Sequence, residues 1–111
     1  MPYVLNGNSV ALGDAPVVKG GVTYVPWRDV VEALGGSVSW DNAAKEATGT
    51  IAQWTCRFSL GDTSADVNGT TVQIAGAPYV EGGTLYVPAD LFRAAYGYKV
   101  SASGASVNIG L

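Results

Sequence analysis

The chain has 111 residues, with six Lys or Arg against nine Asp or Glu and no histidine. A net charge of −3 with scattered basic residues excludes a phosphate-backbone partner, so no nucleic acid is expected. The missing histidine removes His-based acid/base catalysis, Ser-His and Cys-His nucleophiles, and the commonest ligand of zinc, copper and non-haem iron.

Cys56 is the single cysteine and has no internal disulfide partner. No apolar run approaches the ~20 residues of a membrane span, so no membrane insertion is expected. Met1 to Gly7 lacks the basic and apolar regions of a signal peptide. Either Met1 heads an excised mature domain or the protein is made without a signal. Few charges and abundant Gly, Ser, Thr and Ala give the composition of a β-rich, turn-rich extracellular or virion protein.

Along the chain, "VLNGNSVAL" reads as a hairpin turning at Asn6-Gly7, because Asn-Gly accepts positive φ at both turn positions. "PVVKGGVTYV" reads as a second hairpin, turning at Lys19-Gly20-Gly21. Pro26 suits a first helical position. Trp27, Val30, Val31 and Leu34 then recur at helical spacing, and Gly35 is the stop. Ser37 to Trp40 reads as a strand, Asp41-Asn42 as a turn, and Lys45 to Ile51 as a returning strand. In "WTCRFSL", Trp54, Cys56, Phe58 and Leu60 share one face.

After the junction Gly61 to Ser64 the pattern begins again. Asn68 minus Asn6 is an offset of 62, and it holds without a gap from Leu5/Val67 to Ser39/Ser101. Roughly 15 of about 35 aligned positions are identical, far beyond chance. "ADVNGTTVQI" and "PYVEGGTLYV" are the second pair of hairpins. Pro88, then Leu91, Phe92, Ala95, Tyr96 and Gly97, form the second helix and its stop. Lys99 to Ser101 is the strand that follows it. The second copy has no counterpart of Trp54 to Leu60. The expectation is a single α+β domain over 1–111, with repeats at 3–60 and 65–111. Each repeat is a hairpin, hairpin, short helix and strand, with an antiparallel sheet curved around the helices.

The run of Asn-Gly hairpin, Gly-x-x-Tyr-Val-Pro, helix ending in Ala-x-Gly, and "VSWDN" resembles the copper amine oxidase N-terminal-like domain, or stalk domain. The residues carrying the resemblance are Leu5 to Gly7, Gly21 to Pro26, Ala33 to Gly35 and Val38 to Asn42. They recur at Val67 to Gly69, Gly83 to Pro88 and Ala95 to Gly97. In the second copy Ala102 and Ser103 stand where Trp40 and Asp41 would be. The resemblance implies an accessory module, because the oxidase's histidine-bound copper and its tyrosine-derived quinone lie in a separate catalytic domain. It also implies a secreted or surface protein of bacteria or their phages, attached to partners such as cell-wall amidases.

The candidate sites each have a plainer reading. Asp29 and Glu32 share a helix face, which a solvated surface explains. Asp41, Asn42 and Glu46 lack the spacing of a calcium loop, and turn chemistry accounts for them. Cys56 reads as a core residue. Trp27, Trp40, Tyr24 and Tyr86 fall at core positions. Tyr79 and Tyr98 are the candidate ligand contacts, as exposed aromatics able to stack on sugar rings. No catalytic residue, metal or cofactor is expected. The expected function is a non-catalytic module on the cell surface that binds cell-wall glycan or acts as a spacer. The alternative is an assembly subunit of a virion or surface layer, meeting neighbouring protein subunits through sheet edges.

Overall fold

Four two-residue turns set the strands of the computed structural model, which describes residues 3–104 and 106–111. Asn6-Gly7 joins β1 (Tyr3–Leu5) to β2 (Asn8–Val10), and Gly20-Gly21 joins β3 (Val17–Lys19) to β4 (Val22–Pro26). The matching turns later in the chain are Asn68-Gly69, between β8 (Ser64–Val67) and β9 (Thr70–Gln73), and Gly82-Gly83, between β10 (Tyr79–Glu81) and β11 (Thr84–Pro88). All eight turn residues have positive φ, from 49° to 89°. That is the type I′ geometry whose twist matches a hairpin.

Helix α1 (Trp27–Ala33) follows β4, and α2 (Leu91–Tyr96) follows β11. Pro26 is not the first helical residue that its sequence position suggests. It is extended (φ −68°, ψ 118°) and ends β4, where its pairing with Tyr86 holds it in the sheet. The proline φ suits strand and helix alike, and the sheet partner fixes ψ. Gly35 and Gly97 stop the helices with φ of 89° and 76°. The remaining strands are β5 (Ser37–Asp41), β6 (Glu46–Ile51), β7 (Trp54–Ser59), β12 (Lys99–Ser103) and β13 (Ser106–Gly110).

The strands form three sheets rather than one curved sheet, ordered β12-β13-β1-β2, β10-β11-β4-β3 and β5-β6-β7-β8-β9. The architecture is α+β, mostly antiparallel, with two short helices. The middle sheet is centred on the pair Val25 and Val87, flanked by Tyr24 with Pro88 and Pro26 with Tyr86. Each partner therefore lies 62 residues from the other or within two of that spacing, since 87 − 25 = 62, 88 − 24 = 64 and 86 − 26 = 60.

The two outer sheets each join a hairpin from one half of the chain to strands of the other, and β7 makes them differ. After β6, β7 reverses direction once more, so β8 meets it antiparallel. In the other sheet β1 pairs directly with β13, in the parallel sense.

One core cluster draws on both halves. At its centre the Trp27 ring, 2% exposed, meets Phe58 edge-on at 5.0 Å, with Phe92 at 5.6 Å and Tyr96 stacked at 6.4 Å. Trp27 packs over Gly49 of β6, and Tyr96 Oη donates to the Gly49 carbonyl at 2.7 Å. The Trp27 indole N–H has no acceptor among the described residues.

Burial sets the pH range of this fold. It raises all six tyrosines, Tyr3 and Tyr96 far above the ordinary value of 10.0. It also pushes the Cys56 thiol up from 9.0 to about 12, with Asp66 adding to the effect. Each group is easier to ionise unfolded than folded. Its stabilisation is complete below the unfolded value and is lost as pH climbs from there through the folded value. Thermal melts should therefore give a Tm steady from pH 7 to about 9 and falling steeply above about 10. A Tm unchanged at pH 11 would contradict this burial.

Candidate functional site

Trp40 sits on the core-facing side of β5, paired across the sheet with Ala47. Its sequence position predicts a core ring, yet it is 43% exposed. β5 is the edge of its sheet, so no further strand flanks the Trp40 ring. Trp54 is exposed beside the turn between β6 and β7, beyond the reach of β8, although Cys56 and Phe58 on the same face are buried.

The Trp40 indole borders a groove of about 710 Å³. One wall is β5, with Val38 and Trp40. Val80 and Leu85 line the groove from the β10–β11 hairpin, with Leu60 contributed by the loop after β7. Polar groups enter from three sides: Asp14, Asp29 and Arg28, and the Asn42–Lys45 turn. The volume lies within the ~300–1,000 Å³ typical of small-ligand sites, and the lining of apolar surface with few polar groups is also typical.

Local chemistry fixes this rim. Asp41 Oδ1 accepts from the backbone N–H groups of Ala43 (3.0 Å) and Ala44 (3.2 Å), closing the turn. Asn42 Oδ1 accepts from Lys45 Nζ at 3.1 Å and from Trp40 Nε1 at 3.5 Å, tethering the indole edge. The Leu60 N–H donates to the Lys45 carbonyl at 3.1 Å, tying the loop after β7 to the same turn. Opposite, Thr84 Oγ1 donates to Asp14 Oδ2 at 3.0 Å.

The two tyrosines singled out from the sequence are not brought together, and neither lines the groove. Tyr98 is not an exposed aromatic. It is 6% exposed. Gly97 turns the chain so that the Tyr98 N–H reaches the Phe92 carbonyl at 3.2 Å, a helix stop that folds the next side chain back onto the core. Tyr79 is half-buried. It stacks on Tyr86 at 5.4 Å and meets Tyr24 edge-on at 4.9 Å, and Lys19 Nζ lies 4.0 Å from its ring centre. Those contacts leave little free ring for a ligand.

The other candidates resolve simply. Glu32 pairs with Arg28 at 3.3 Å on the solvent side of α1, while Asp29 lines the groove, so the two carboxylates do not act together. Cys56 is fully buried with its thiol held protonated, which makes it inert. Among the described residues no group of three or more Cys, Asp or Glu side chains is placed to hold a metal ion. Among them, too, no helix is long and apolar enough to cross a membrane.

Sequence reasoning missed the groove because its walls come from segments far apart in the chain. One signal was present. At the 62-residue offset, Ala102 stands against Trp40, and both fall on a strand that follows a short helix. The family model described as Copper amine oxidase N-terminal domain matches residues 4–111. No curated protein matches the chain.

Proposed function

The chain belongs to the copper amine oxidase N-terminal domain family, and from that premise we propose that it is a non-catalytic accessory module that holds cell-envelope glycan in the Trp40 groove. In copper amine oxidases this domain is a non-catalytic, stalk-type module.

The observation that carries the reading is a half-exposed indole on the rim of a groove that also holds polar groups. An aromatic face stacks on the C–H face of a sugar ring, and nearby carboxylate and amide groups bond its hydroxyls. The reading includes an origin for the fold. The matching turns, the register centred on Val25 and Val87, and the order of elements support a duplicated unit within one domain over 1–111. On that view the second copy supplies framework, while the first adds Trp40 as the contact. It also includes a place at the cell surface, where such glycan is found.

The test is co-sedimentation with purified Gram-positive sacculi, with albumin as the control. Pelleting that solubilised wall glycan competes away is the expected result. A protein that stays in the supernatant across several wall types would overturn the glycan reading and favour a spacer or an assembly subunit.

A further inference from the structure

We propose that the groove selects an uncharged sugar carrying an acetamido group, an inference that rests on reading the groove as a glycan site. Two features narrow the ligand class.

The first is charge. Asp14 and Asp29 share the groove lining with Lys45, and with Arg28, whose guanidinium is paired with Glu32 at 3.3 Å. A polyanionic glycan would meet the two carboxylates, and a polycationic one would meet the Lys45 ammonium. A neutral ligand meets neither penalty. The mixture of carboxylate and amide oxygens with charged N–H donors also suits a ligand bearing both hydroxyl and amide groups.

The second is the apolar wall of the groove. Val80, 50% exposed, lines it together with the indole, Val38, Leu60 and Leu85. A sugar stacked on Trp40 with hydroxyls alone would set polar groups against this wall. An acetamido methyl covers it, while the amide N–H and C=O remain for the polar rim. One methyl-sized group in an apolar site is worth a factor of ~10–200 in discrimination.

The test is titration calorimetry of the intact protein with β-1,4-linked tetramers of N-acetylglucosamine, glucose and galacturonate, and with a neutral valine-rich peptide. The expected result is binding of the N-acetylated tetramer at least about tenfold tighter than the glucose tetramer, with the galacturonate tetramer weakest. Val80→Ala, on an exposed edge strand, should shrink that preference towards the affinity of the glucose tetramer, with a melting curve close to the parent's. Equal affinity for the N-acetylated and glucose tetramers would overturn the inference and leave the glycan reading standing, as would tighter binding of galacturonate. Tighter binding of the peptide than of every sugar, or no binding of any sugar together with no sacculus pelleting, would overturn both.

Discussion

Replacing Gly49 with alanine is expected to destabilise the domain by about 3 kcal/mol, although it adds a single methyl group to a strand. A Cβ at this position would overlap Trp27 Cζ2 and lie 2.9 Å from Cη2 and 3.1 Å from Tyr96 Oη. Strand β6 is held on both sides, by β5 and β7, so the backbone cannot retreat. The indole is confined by Phe58, Phe92 and Tyr96 and cannot retreat either. Overpacking of this kind costs ~1–3 kcal/mol, and displacing the buried Tyr96 hydrogen bond adds about 1 kcal/mol. Urea titration of Gly49→Ala and of the double variant with Trp27→Phe provides the check. The smaller ring should return part of the loss, because the two sites are in contact. A Gly49→Ala variant as stable as the parent would show that Trp27 does not rest on this strand.

Trp27→Ala should have the larger effect, about 3–5 kcal/mol. Whole domains are stable by only ~5–15 kcal/mol, so this one change consumes a large share. Trp27 joins four pieces of the core. It stands at the start of α1, covers β6, meets Phe58 of β7, and contacts Phe92 and Tyr96 of α2. Its removal leaves a cavity that helices of two turns are too short to close on their own. Loss of the near-UV circular dichroism signal and a Tm lowered by roughly 10–25 °C are the expected readings. A fall of only a few degrees would mean that the two halves are held together chiefly by the sheet pairing of Val25 with Val87.

What the sequence made legible was local. Asn6-Gly7 and Asn68-Gly69 announce their hairpins because only a few residue types tolerate two successive positive φ angles. The stripe of Trp27, Val30, Val31 and Leu34 announces α1, and all four side chains are buried. What it hid was non-local. Trp40 shares the core-facing side of β5 with Val38, but its exposure depends on β5 being an edge. Tyr98 looked free because it follows a glycine, but the helix stop at Gly97 folds it inward. The parallel pairing of β1 with β13 joins residues more than 100 apart in the chain, which no local window contains. The candidate site fared as its geometry dictates. Single aromatics stand out in a sequence, whereas a groove assembled from the segment around Asp14, the start of α1, β5 and the β10–β11 hairpin does not.

The central claim is that the Trp40 indole is the contact face of the domain, and the most direct measurement compares sacculus co-sedimentation of Trp40→Ala with that of the parent. Trp40 is 43% exposed and lies on an edge strand, so the variant should keep a melting curve close to the parent's. Loss of a stacking aromatic from a ligand site costs ~1–3 kcal/mol, so the pelleted fraction should fall at least about fivefold at matched wall concentration. Equal pelleting of a folded Trp40→Ala variant and the parent would contradict the account and place any wall contact away from this groove.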